Sequence, residues 1–174
     1  MLQAAGRKAW LTIHIVCSVG WMGAVLAFVA LDVTTVTAGS VAVLRAAYIA
    51  MDLITRWAIV PLAAAALATG LVVSLGTTWG LFRHYWVVVS LLLTAVATLV
   101  LLVQVPLISH RAELAALSST TDGDIRALGN LLLHSIGGTL MLLVILVLNM
   151  YKPQGLTPYG WRKQEETRLE ARSR

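Results

Sequence analysis

At 174 residues the chain is long enough for one domain and too short for two ordinary ones. Hydrophobic residues make up 59% and charged residues 12%, a balance that excludes an ordinary soluble domain. The formal net charge is +5, but no aromatic-interleaved basic patch or nucleic-acid module accompanies it. The excess therefore points to membrane topology and anionic lipid, with no nucleic-acid partner.

Four stretches carry no charge: Trp10–Leu31, Trp57–Phe82, Tyr85–Ser109 and Ala127–Tyr151. A hydrocarbon core about 30 Å thick needs roughly 20 apolar residues as helix, and each stretch meets that length. Four spans cannot close a barrel, so the expected fold is all-α, a transmembrane four-helix up-down-up-down bundle over residues 1–151. Residues 152–174 are expected to be a basic cytoplasmic tail.

The first element opens with Arg7 and Lys8 before the apolar run, and Val36-Thr37-Ala38 resembles a cleavage site. The run is longer than a signal peptide's apolar core and contains His14, so it reads as a retained helix. Gly20, Gly23, Ala24 and Ala27 give it spacings that allow close helix approach. Cys17, the single cysteine, lies within it, leaving no disulfide and no thiolate metal cluster. A connection from about Asp32 to Met51 follows, with Gly39-Ser40 and a stretch, Arg45–Tyr48, compatible with helix. The second helix opens with the i,i+4 pair Asp52 and Arg56, is expected to kink at Pro61, and presents Ala63, Ala66, Gly70 and Ser74 as its small face.

A turn from Gly76 to His84 contains Trp79, Gly80 and Arg83. The third helix runs from Tyr85, past Pro106, as far as Leu117, where Ser118 to Thr121 break it. Thr121 and Asp124 have the spacing of a capping box that would start the fourth helix. Helices three and four would then project from the membrane as a short hairpin. The tail, with two prolines, two glycines and nine charges, is expected to be surface-bound or disordered. With the N-terminus inside, nine Lys and Arg fall on the inner side and four (Arg45, Arg56, Arg111, Arg126) on the outer. This places both termini in the cytoplasm and the chain in a bacterial cytoplasmic (inner) membrane.

No phosphate loop, dinucleotide fingerprint, zinc-protease motif, nucleophile elbow or paired intramembrane carboxylates occur, so a redox protein is expected rather than a hydrolase or transferase. What remains is histidine. From the helical rise, His14 lies roughly 6 Å inside the inner interface, with His84 beside that interface. His134 lies roughly 25 Å from the inner end of helix four, near the heights of Gln104 and Arg56, with His110 above them. An imidazole in hydrocarbon needs partners, and haem iron is one that fits. The expected cofactor is haem b. His14 and His134 are the iron-ligand candidates, and His84 and His110 are possible second ligands. Gly137 and Gly138 would give clearance for a flat macrocycle, and Arg56 would pair with propionates. Simpler roles stand beside these: either intramembrane histidine hydrogen-bonding to Ser, Thr or Asn on a neighbouring helix, His84 and His110 solvated, and Arg56 paired with Asp52 or a lipid headgroup. Ser90, Thr94 and Gln104 share a face of helix three as interhelical glue.

The segment Trp10 to Gly23, with His14 ahead of Trp21-Met-Gly23, resembles the first helix of copper-resistance-D-type and HemJ-type membrane haem proteins. From the HemJ-type enzymes, His14 would carry over as a haem ligand. Those enzymes also use an intramembrane lysine, whereas this chain has none between Lys8 and Lys152. Over nearly its whole length the chain is similar to an actinobacterial family of four-span integral membrane proteins of unknown function. That likeness rests on Trp79-Gly-Leu-Phe-Arg-His84-Tyr-Trp, Lys152-Pro-Gln-Gly155 and Tyr159-Gly-Trp-Arg-Lys163, and it implies the fold but no activity. The expected function is electron transfer or redox sensing through b-type haem, with a membrane redox partner or a homo-oligomer. The alternative is a cofactor-free accessory subunit of a larger membrane complex.

Overall fold

A computed structural model describes residues 4–76 and 80–172, so Trp79 of the first turn lies outside the described residues. The helices are α1 (Ala4–Thr37), α2 (Val41–Ile54), a π-helical turn (Thr55–Ile59), α3 (Val60–Gly76), α4 (Tyr85–Ala116), α5 (Asp122–Ala127), α6 (Leu132–Tyr151) and α7 (Pro158–Arg172). Four helical runs are long and apolar enough to cross a membrane: Ala5–Thr37, Val41–Gly76, Tyr85–Ala116 and Leu132–Tyr151. Large apolar side chains line their outer surfaces, among them Val16, Trp57, Leu92, Leu99, Val103 and Leu133. Water would not tolerate that much contiguous apolar surface, and lipid does. The chain is an integral membrane protein.

α1 packs against α2–α3 and α6, and α4 packs against the same two partners. The first and third spans are therefore diagonal, and the start of α1 and the end of α6 lie at one end of the bundle. Trp21 and Phe28 of α1, Tyr48 and Met51 of α2, Ile108 of α4 and Leu142 of α6 share one buried cluster. The small face expected on the second span is buried at Ala63, Ala66 and Ser74. Gly20 lets Leu62 approach, whereas nothing packs over Gly23.

The connection expected from Asp32 to Met51 is almost wholly helical. α1 continues to Thr37, and α2 begins only four residues later. The segment Asp-Val-Thr-Thr-Val-Thr has weak helix propensity, but its threonines bond back to the helix: Thr34 to the Ala30 carbonyl at 2.9 Å, Thr35 to Asp32 at 2.7 Å and Thr37 to Val33 at 3.0 Å. The kink expected at Pro61 takes the form of the π turn. Proline has no N–H and crowds the carbonyl four residues back, and here Val60 N–H reaches Thr55, five residues back.

The capping box at Thr121 and Asp124 forms, but it starts the short α5; the chain then breaks before α6. The projecting hairpin is thus part of a larger cap at the end far from the start of α1. Arg45 of α2 donates to the Ala115 and Leu117 carbonyls, both at 2.9 Å, and to Thr120, closing the C-terminus of α4. Tyr48 donates to the Gly129 carbonyl at 2.6 Å, and Arg126 donates to Gly39 at 3.0 Å. The tail, expected to be surface-bound or disordered, is helical from Pro158 to Arg172 and is joined to the turn before α4.

Candidate functional site

The first turn of α6 is held from outside its own helix. Leu131, its N-cap, offers no side-chain cap, and the Asp32 carboxylate of α1 takes that role. One oxygen accepts from Leu131 N–H at 2.9 Å, and the other accepts from the Ser135 hydroxyl at 2.8 Å. Asp32 is fully buried. A carboxylate at a helix N-terminus also favours the local dipole. His134 lies between these two anchored residues, its own N–H bonded to the Leu131 carbonyl at 2.8 Å.

His134 lines an open cleft of about 280 Å³. Gly137 and Gly138 line it one turn further along α6, and nothing packs over either glycine within 4 Å of where a Cβ would stand. Gln104 of α4 lines the cleft as well, and α1 contributes Trp21 and Phe28. The π turn supplies Thr55 and Ile59, so the irregularity forced by Pro61 shapes the wall. The rest of the lining is aliphatic apart from Ser135 and Met141. The cleft is near the small end of ligand sites, which run from roughly 300 to 1,000 Å³.

The other candidates lie elsewhere. His14 accepts from or donates to the Thr69 hydroxyl of α3 at 3.1 Å through Nδ1, and its ring rests on Gly70. His84 is the N-cap of α4, its ring centroid 6.5 Å from that of Trp86. None of the described contacts brings His14 and His84 together. His110 is exposed and does not line the cleft. Arg56 donates from Nε to both Asp52 carboxylate oxygens at 2.9 Å, and Asp52 also accepts from Ser109 of α4 at 2.7 Å. No group of three or more metal-ligating side chains occurs among the described residues. Ser90 joins helices as expected, accepting from Asn149 at 3.0 Å, whereas Thr94 bonds within its own helix.

Of the residues singled out in the sequence, His134, Gln104, Gly137 and Gly138 thus meet around one space. Asp32 and Thr55 were missed. The signal for Asp32 was a lone carboxylate abutting an uncharged span, which has to find a partner. Comparison with protein-family models, curated proteins and solved structures finds no match to this chain.

Proposed function

We propose that this membrane protein binds one b-type haem in the cleft beside His134 and serves electron transfer or redox sensing. The observation that carries the reading is the convergence of His134, Gln104, Gly137 and Gly138, from two helices, on a single apolar cleft. A neutral imidazole suits haem iron, and the two glycines leave space for a flat group lying along α6. Trp21, Phe28 and the aliphatic walls keep water from the site, while the Gln104 amide offers a hydrogen bond inside it. When bound, the haem would supply one-electron chemistry tuned by its axial ligand and this apolar shell.

The donor set favours a single histidine ligand. Among the described residues His134 is the one histidine in the lining, and Met141 lies seven residues further along the same helix, so both would approach a bound group from one side. Protein made with ample haem supply and purified in detergent should carry a Soret band, at close to one haem per chain. A colourless preparation that stays colourless after haem addition would overturn the reading.

The second reading, a cofactor-free accessory subunit, draws on the partners already present. His14 is satisfied by Thr69 and Arg56 by Asp52, so these polar groups need no cofactor. Co-purification of a stoichiometric membrane partner with colourless protein would favour it.

A further inference from the structure

The tail is built onto the bundle through a defined set of contacts. Lys152 ends α6 in the left-handed conformation, φ 44°, and turns the chain back. Gly155 to Thr157 then run antiparallel to Arg83 to Tyr85: Tyr85 N–H reaches the Gly155 carbonyl at 3.2 Å, and Thr157 N–H reaches Arg83 at 3.0 Å. The Thr157 hydroxyl donates to the Phe82 carbonyl and accepts from Gly160 N–H at 3.1 Å, capping α7. Gly160 is pressed onto the Arg83 carbonyl so closely that no Cβ fits.

Between the turn and α7 this arrangement leaves a cavity of about 1110 Å³. Arg83, His84, Lys152, Lys163 and Arg168 line it, while Glu166 and Glu170 stand close enough to act on Lys163 without lining it. Lys163 pairs with Glu166 at 3.0 Å, but both remain half exposed, so that pair is weak. The level of the cavity is set by the ends of two spans: Trp86 is the second residue of α4, and Lys152 follows the last residue of α6. Phe82, Tyr85, Tyr159 and Trp161 are exposed around it, an aromatic belt of the kind found at lipid headgroups.

We infer that this cavity binds a phosphate ester through the Lys163 ammonium and the Arg168 guanidinium, with Arg83 and Lys152, which have partners within the protein, adding positive charge around it. Guanidinium forks and ammonium charges both suit phosphate oxygens. Phosphate esters could come from an anionic phospholipid or from a phosphorylated solute. The level of the cavity favours the lipid, whose phosphodiester lies at that height. The inference is independent of the cleft beside His134, which is at the other end of the bundle.

The test uses the full chain in mixed micelles of phosphatidylglycerol and phosphatidylcholine with matched acyl chains, read by native mass spectrometry. The parent should retain one phosphatidylglycerol in preference to phosphatidylcholine. Lys163→Gln with Arg168→Gln should cut that preference by about fivefold per lost cation. Gly160→Ala, which keeps every charge but pushes α7 off the turn, should also lose it, with bundle helicity unchanged by circular dichroism. Equal retention of the two lipids by the parent, or an unchanged preference in both variants, would overturn the site. Displacement of the lipid by glycerol phosphate at low concentration would overturn the lipid source and leave a soluble phosphate ester as the ligand.

Discussion

The Asp32 carboxylate on α1 and the Ser135 hydroxyl on α6, 103 residues apart in sequence, meet at 2.8 Å in full burial. This contact and its companion to Leu131 N–H fix the turn that carries His134. Asp32→Ala should therefore destabilise the bundle by about 2–3 kcal/mol, since it leaves buried donors unpaired. Asp32→Asn keeps an acceptor and should cost less. Thermal unfolding in detergent gives the order, and an alanine variant as stable as the parent would contradict this role.

Arg45 should be irreplaceable by lysine. Its guanidinium spans the carbonyls of Ala115, in the last turn of α4, and of Leu117 and Thr120 in the turn that follows. A single ammonium cannot reproduce that fork, so Arg45→Lys should lose about 1–2 kcal/mol and speed amide exchange across residues 115–121. Arg126→Ala removes one exposed hydrogen bond to Gly39 and should change little. Exchange rates equal in Arg45→Lys and the parent would refute the assignment.

His14 is expected to serve packing. Its bond to Thr69 and its seat on Gly70 join the first two spans. Thr69→Val should cost about 1 kcal/mol of stability, and His14→Ala should leave haem content at the parent's level. Gly70→Val should be worse than Thr69→Val, because its side chain would displace the His14 ring. Loss of all haem in His14→Ala would move the site to the other half of the bundle.

The two ends of the chain should report the same side of the membrane. Reporter fusions at residue 174 and within 117–121 should give opposite answers, with residue 174 cytoplasmic by the distribution of Lys and Arg. A periplasmic signal at residue 174 would invert the orientation.

The four spans and the capping box at Thr121 were legible because each rests on local pattern: charge-free length and a three-residue spacing. The extent of α1 was not legible. The run from Asp32 to Thr37 reads as loop on propensity, and what makes it helical is back-bonding by its threonines and the burial of Asp32 against a segment about 100 residues away. The tail was hidden for a related reason. Its composition is that of a disordered segment, but Thr157, Gly155 and Gly160 find backbone partners on the turn at 82–85. At the cleft, the heights of His134 and Gln104 followed from the helical rise, and the glycines from their i+3 and i+4 spacing. The contribution of Thr55 was out of reach, because a π turn leaves no separate mark in the sequence beyond the proline that follows it.

The most direct measurement is the haem-to-protein ratio of His134→Ala beside His110→Ala and the parent, by pyridine haemochrome on detergent-purified protein. His134 faces the cleft between two glycines and an anchored first turn, whereas His110 is exposed outside it. The account predicts a ratio near one for the parent and His110→Ala, and near zero for His134→Ala with helicity retained. Equal haem in His134→Ala and the parent would contradict it.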